Sequence, residues 1–581
     1  MEMEGSLHPR PQMTRKDWML LDGNWKFRFD SEDVGLSEKW YKDLKDTATI
    51  RVPFTYETKL SGVNQEVFES VVWYQKEIDL SEGTNYLLHF EGADYYTQVW
   101  LNGEKVGEHS GGYTRFSFHL QGHQQKNTLV VRIEDSMLCS QPRGKQRWLK
   151  DNFGCWYVQT TGIWKSVWLE EVSNNHITHI KLTPEVGQQR LACEVQLNKY
   201  DRHKSYQLTA MISFEGKKIS QSTHYLGQEL SLLNLSVMDP ENSGWGLQLW
   251  SPTTPNLYDL SLELSINEEL VDRVDSYFGM RSITIEGSNV LLNGHGLYQR
   301  LILDQGYWAE SGLTPPSFEA LEIDVKRIKE MGYNGVRKHQ KTEDERFLYL
   351  CDKHGLLVWS EMAATYEFND MAIEMFTEEW LKIVKQNYNH PSIITWVPFN
   401  ESWGITDIYN DEKQQKFTES IYYLTKAIDS TRPVITNDGW VHTISDIITL
   451  HDYEEVLELF KQRYQDKEKI MANQLMFNKE FYTFAKNYHY KGQPIIISEF
   501  GGIAFNSKEG WGYGNKVTSK EEFMRRFDAI HQEIQNLDYV SGYCYTQLTD
   551  VEQEVNGLLT PDRSAKVELA EVARINLRRL Y

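Results

Sequence analysis

The feature that most constrains this chain is a change of pattern near residue 284. Before that point β-branched and aromatic runs are punctuated by turn residues. Val71–Ile78, Tyr86–Glu91, Thr97–Leu101 and Thr128–Glu134 read as strands, and Asn102-Gly103 marks a tight hairpin. No amphipathic helix interrupts residues 70–170, so residues 1–172 are expected to form a β-sandwich. A second set of short strands, from Ile177–Thr183 to Val271–Phe278, has the spacing of an Ig-like sandwich over residues 173–283.

After residue 284, apolar strands alternate with helical patterns. The strand candidates are Leu297–Leu303, Asn334–Lys338, Leu356–Glu361, Ile393–Phe399, Val434–Thr436, Ile447–Leu450, Pro494–Ser498 and Gly542–Tyr545. The first helix is expected near Ser317, with Phe318, Leu321, Val325 and Ile328 on one face and Gly332 placed to end it. Eight strands alternating with helices are what a (β/α)8 TIM barrel requires, here over residues 284–581. The expected fold is therefore multidomain, with two all-β sandwiches ahead of a barrel.

Composition removes several classes of function. With 61 basic and 83 acidic residues the net charge is −22, which repels phosphate backbones and argues against a nucleic-acid partner. There is no apolar run near 18 residues, so no membrane span is expected, and Met1–Gln12 lacks the pattern of a secretory leader. Five cysteines without a CxxC pair argue against a disulfide framework or a zinc site and point to a cytoplasmic protein. No metal site or phosphate cradle is read elsewhere, so no cofactor is expected.

In a barrel, chemistry gathers at the C-terminal ends of the strands. Glu401 directly follows the fourth candidate strand and Glu499 the seventh. Two carboxylates facing one mouth are the minimum apparatus of glycoside hydrolysis, one protonated to assist the leaving oxygen and one ionised. Around them the same reasoning places Asp304, His339, Asn400, His451, Tyr453, Tyr545 and Gln547 at strand ends, with Trp403 and Trp440 in loops where a sugar could stack. Arg337 reads equally as a structural ion-pair partner or a substrate contact. The Arg143-Gly144-Lys145-Gln146 loop of the first domain reads first as a surface loop, with the alternative that it reaches the cleft and reads the substrate.

These residues carry a family resemblance. Leu21-Asp22-Gly23-Asn24-Trp25, Val72-Trp73-Tyr74, Trp100-Leu101-Asn102-Gly103, Thr161-Gly162-Ile163-Trp164, Phe278-Gly279-Met280-Arg281, Leu292-Asn293-Gly294 and Asn334-Gly335-Val336-Arg337 occur in the order seen in glycoside hydrolase family 2. The chain resembles that β-galactosidase/β-glucuronidase/β-mannosidase family from about Leu21 onward. The resemblance implies a jelly-roll sugar-binding domain, an Ig-like domain and a catalytic barrel. It implies that Glu401, after Asn400, is the acid/base, that Asn400 binds the 2-hydroxyl, and that Glu499 is the nucleophile with Tyr453 hydrogen-bonded to it. The acid role leads to the expectation that the charge of Glu499 raises the pKa of Glu401.

The resemblance favours an exo-acting retaining β-galactosidase acting on an oligosaccharide or glycoside. β-Glucosidase, β-mannosidase, α-L-arabinopyranosidase and uronidase activities stay open, as does a catalytically inactive carbohydrate-binding protein. Val555-Asn556-Gly557-Leu558-Leu559 lacks the lysine that follows the asparagine in the family's glucuronidases, and Tyr545-Thr546-Gln547 stands where a tryptophan is usual. His339 falls one position early against the family's histidine. Dimers and tetramers in the family make a homo-oligomer an expectation as well.

Overall fold

A computed structural model describes residues 7–578, apart from 123, 240–245 and 507–508. Part of the segment read for a leader, Met1–Ser6, therefore lies outside the described residues. No described helix is long and apolar enough to cross a membrane.

The first unit is two antiparallel sheets face to face. One has six strands, in which Lys126–Glu134 sits between Val71–Asp79 and Tyr96–Leu101. The other contains Trp18–Leu20, Val167–Val172, Asn85–Phe90 and Phe116–Gln121. Alternate residues such as Trp25, Phe27, Tyr74, Leu88 and Val131 fill the space between them. The Asn102-Gly103 hairpin forms, both residues having positive φ, 53° and 82°. Such a turn matches the twist of the flanking strands.

The second unit packs a three-stranded sheet on a four-stranded one. Lys217–Leu226, at the edge of the larger sheet, was not among the expected strands. It is mostly polar and turns only Ile219 and Leu226 fully into the core, so its sequence carries little alternation. Arg281 then ties this unit to the barrel, its guanidinium donating to the carbonyls of Pro391 (2.8 Å) and Ile393 (2.9 Å).

The third unit is a parallel barrel. Its seven-stranded sheet runs in the order Ile393–Val397, Leu357–Glu361, Gly335–Lys338, Gln299–Asp304, Val540–Thr546, Ile495–Gly501 and Ile448–His451. The remaining position is filled by Asn437–Asp438, three residues later than expected. It pairs with Phe399–Asn400, while Val434 makes a single bridge to Trp396. The barrel interior holds Leu301, Leu303, Trp359, Ile394, Ile435, Ile447, Ile496 and Cys544. The opposite faces of the strands meet the helices.

The first of these helices, Phe318–Glu330, starts where Ser317 accepts a hydrogen bond from the Ala320 amide (3.2 Å). It buries Leu321, Val325 and Ile328, and Gly332 takes up φ +80° just past its end. Because Leu301 fills the barrel interior with no exposure, Leu301→Ala is expected to cost about 2–5 kcal/mol of stability. The check is a lower thermal-unfolding midpoint with turnover of the folded protein kept within about twofold.

Candidate active site

Two local distortions aim the carboxylates. Glu401 and Ser402 adopt φ of 50° and 58°, a left-handed conformation that bulky residues avoid. It is held by hydrogen bonds from the Glu401 amide to the Asp438 carbonyl (2.9 Å) and from the Ser402 amide to Asn437 Oδ1 (3.0 Å). In strand seven, simple alternation would send Glu499 to the helix side with Ile495 and Ile497. The register slips between Ile497 and Phe500, and the extra residue turns Glu499 into the mouth.

There, Glu499 Oε1 lies 2.9 Å from an Arg337 nitrogen, and Oε2 accepts a 2.5 Å hydrogen bond from the Tyr453 hydroxyl. Tyr453 stacks flat on Tyr513, with ring centroids 3.4 Å apart. One oxygen from each of Glu401 and Glu499 and one ring nitrogen of His451 all fall within 4.8 Å of one another. Carboxylates this close suit a retaining reaction, which uses a pair about 5–5.5 Å apart.

Beneath the pair is a dry ion network. The Arg337 guanidinium is fully buried and reaches Glu361 (2.6 Å), Asp438 (2.7 Å), Glu499 (2.9 Å) and Asn400 Oδ1 (2.7 Å). It thus acts between protein groups and has no donor to spare for a substrate. Asn400 Oδ1 is satisfied by this bond, whereas its Nδ2 is buried without a partner among the described residues and remains available as a donor. His339 sits beside Arg337, with Nδ1 2.9 Å from Glu361. Burial, then Lys145 and Arg337, pull its pKa far down, so the ring is neutral.

His451 lies between Glu401 (2.9 Å) and Asp438 (2.8 Å). Burial alone would keep it neutral, but Glu499, Asp438 and Glu401 outweigh that and push its pKa up to about 10. The imidazolium reverses the expectation for Glu401. Burial raises the Glu401 carboxyl, yet the hydrogen bond and charge of His451, helped by Lys145 and Arg337, hold it below the ordinary range. The cation between the two acids overrides their mutual repulsion.

Two expected site residues point elsewhere. Leu301 and Leu303 face the barrel interior, so Asp304 faces out, where it is buried against Lys338 (2.6 Å). Cys544 faces in, so Tyr545 packs among Phe500, Phe527 and His531 on the helix side. Thr546 takes the inward position instead, 3.0 Å from the Tyr453 hydroxyl. Gln547 is buried behind it between Gln305 (2.8 Å) and Asn556 (2.6 Å). Trp440 stacks on Phe481 at 4.0 Å, beside a cleft of about 440 Å³ that Glu401, His451 and Tyr453 also line. Trp403 meets Trp156 and Tyr366 edge-on or tilted.

The Arg143–Gln146 loop is not a surface feature. Arg143 and Gly144 donate to the Ala364 carbonyl (2.9 and 3.1 Å), and Tyr366 donates to the Gly144 carbonyl (2.5 Å). A Cβ on Gly144 would come within 2.5 Å of the Gln340 carbonyl, so glycine is needed for this approach to the barrel rim. The loop delivers Lys145, 7% exposed, to the neighbourhood of Glu401 and Glu554. Glu554 accepts from Tyr157, Gln305 (3.3 Å) and Asn556 (3.1 Å). Nothing in the spacing of the sequence signals Tyr157 or Glu554, which meet across 397 residues.

The three units and the paired carboxylates define a retaining glycosidase. The chain belongs to glycoside hydrolase family 2: the family's TIM barrel domain matches residues 283–577, its sugar binding domain residues 19–172, and its middle domain residues 175–281. A putative β-glucuronidase of Formosa agariphila is 27% identical over 72% of this chain, which spans only 49% of that relative. The β-galactosidase of Thermoanaerobacter pseudethanolicus is 25% identical over 86% of this chain and 68% of its own length. Human β-glucuronidase is 24% identical, with 86% of this chain and 79% of the relative covered. Among solved structures, a β-galacturonidase from Eisenbergiella tayi bound to galacturonate superposes with TM-score 0.77 at 20% identity, covering 98% of this chain and 99% of that one.

Proposed function

We propose that the protein is an exo-acting retaining β-glycosidase whose −1 sugar is a uronic acid, with Glu499 as nucleophile and Glu401 as acid/base. The observation that carries the chemistry is the pair of carboxylates within 4.8 Å at the barrel mouth. The uronide reading is favoured over the β-galactoside first expected, because β-glucuronidases predominate among the relatives and the similar structures include a galacturonidase. A β-galactoside is the second reading, supported by the Thermoanaerobacter pseudethanolicus relative and by the missing lysine after Asn556.

Arg337 and Tyr453 orient the Glu499 carboxylate for attack on the anomeric carbon. As that bond forms, the glycosidic C–O bond breaks and the proton shared along the 2.9 Å His451–Glu401 hydrogen bond passes through Glu401 to the leaving oxygen, while Asn400 Nδ2 donates to the sugar's 2-hydroxyl. Forming the ester removes the negative charge of Glu499, which lowers the proton affinity of Glu401 and His451 together. Glu401 is then ready to take a proton from water. Water attacks the same carbon, releases Glu499 and leaves net retention. The free thiols of all five cysteines support a reducing, cytoplasmic setting as part of this proposal.

The test is a panel of nitrophenyl glycosides, covering β-glucuronide, β-galacturonide, β-galactoside, β-glucoside, β-mannoside and α-L-arabinopyranoside. One of the two uronides is expected to turn over fastest, and Glu499→Gln is expected to remove that turnover by about 10,000-fold while staying folded. Preference for the β-galactoside would sink the uronide reading, and an active Glu499→Gln would sink the residue assignment.

A second prediction concerns pH. The His451 cation lowers the pKa of Glu401, so removing it must raise that pKa and keep Glu401 protonated to higher pH. His451→Gln should therefore move the basic limb of the kcat/KM profile upward. A limb that stays put or moves down would show that His451 does not set the Glu401 proton.

A further inference from the structure

Lys145 belongs to the first β-sandwich and lies more than 130 residues before the barrel begins. Its loop is nevertheless fixed to the barrel by the Ala364, Tyr366 and Gln340 contacts, and its own carbonyl accepts from the Tyr157 amide (2.8 Å). Lys145 is buried, and the hydrogen-bond partner of its ammonium among the described residues is the Cys155 sulfur at 3.2 Å. Burial pushes the Cys155 thiol up, so it stays neutral and returns no full charge to Lys145.

Other buried lysines are treated differently. Lys338 is held by Asp304 and Glu343, both at 2.6 Å, and Lys341 by Glu343 (3.0 Å) and two carbonyls. Lys165 has the carbonyls of Thr342 (2.9 Å) and Glu343 (3.2 Å). Glu554 and Glu401 favour the Lys145 charge from a distance, but among the described residues no carboxylate touches the ammonium, so an arriving anion can bond it directly.

Two cations inside the barrel mouth are already committed, and Arg143, on the Lys145 loop, turns back to its own domain, where it donates to the Ser136 (2.8 Å) and Leu138 (3.1 Å) carbonyls. Arg337 is neutralised by Glu361, Asp438 and Glu499, and His451 by Glu401 and Asp438. A uronate brings another negative charge into a mouth that already holds Glu401, Glu499 and Glu554, and so it requires an uncommitted cation. We infer that Lys145 is that cation: the ammonium delivered by the first domain receives the carboxylate of the −1 sugar and makes the barrel selective for uronides. The assignment rests on the uronide reading above. It explains how such a sugar could be held without a lysine two places after Asn556. The anchoring of the loop to Ala364, Tyr366 and Gln340 sets Lys145 at the rim of the barrel mouth, where its charge acts on Glu401, Glu554 and His339.

The experiment compares wild type, Lys145→Met and Lys145→Arg on aryl β-glucuronide and β-galacturonide and on the matching β-glucoside and β-galactoside, with thermal melts as a folding control. In Lys145→Met the uronide-to-neutral ratio of kcat/KM is expected to fall about 10- to 100-fold. Lys145→Arg, which keeps the charge, should recover part of that ratio. If wild type cleaves the uronide and Lys145→Met keeps the same ratio, the assignment of Lys145 is wrong while the uronide reading stands. Equal losses on uronide and neutral substrates, with a shifted basic limb, would make Lys145 a partner of Glu401 and would also overturn it. If wild type cleaves the neutral glycosides and neither uronide, the reading and the inference fall together.

Discussion

The buried Arg337 guanidinium is the interaction on which the site depends. It is fixed on strand two, yet it bonds side chains from strand three (Glu361), strand five (Asp438) and strand seven (Glu499), and it orients Asn400 beside strand four. Those bonds cross the barrel, so they set the distances among residues that the loops alone could not fix. Removing one partner would leave buried charge uncompensated, a loss of about 3–5 kcal/mol, and this binds the stability of the mouth to its geometry. His451 extends the network upward to Glu401 and supplies the positive charge between the two catalytic candidates.

The network also explains which parts of the site could be read in the sequence. Glu401 and Glu499 were legible because each follows a long apolar strand whose end marks the barrel mouth. Asp304 and Tyr545 were misplaced for a single reason. A strand end tells where a residue lies along the barrel but not which way it points, and Leu303 and Cys544 occupy the inward positions beside them. Glu499 itself faces inward through a register slip that no alternation rule predicts. The sign of the Glu401 shift was likewise out of reach, since it depends on a histidine 50 residues away. The edge strand Lys217–Leu226 escaped notice because an edge strand needs few inward apolar residues.

The β-domains are more than supports for a barrel. Loops from the first sandwich are pinned to the barrel rim at several points. Trp511 Nε1 donates to the Gly154 carbonyl (2.9 Å), and the Tyr113 amide donates to Glu379 (2.7 Å). Between these anchors the same loops place Lys145, Trp156 and Tyr157 next to residues of the barrel mouth. Trp156 meets Trp403 edge-on and Tyr157 donates to Glu554, so the first domain is packed onto the residues around the reacting pair. Substrate choice can then change through the sandwich loops without disturbing the ion network beneath the reacting groups.

The central claim is that Glu499 forms a covalent bond to the sugar. A 2-deoxy-2-fluoro glycosyl fluoride of the accepted sugar slows breakdown of such an ester and lets it accumulate. Intact-mass analysis followed by peptide mapping should find one adduct, on the peptide carrying Glu499, and none in Glu499→Gln. An adduct on Glu401 or another residue, or an α-configured sugar as the first product of the ordinary reaction, would contradict the account.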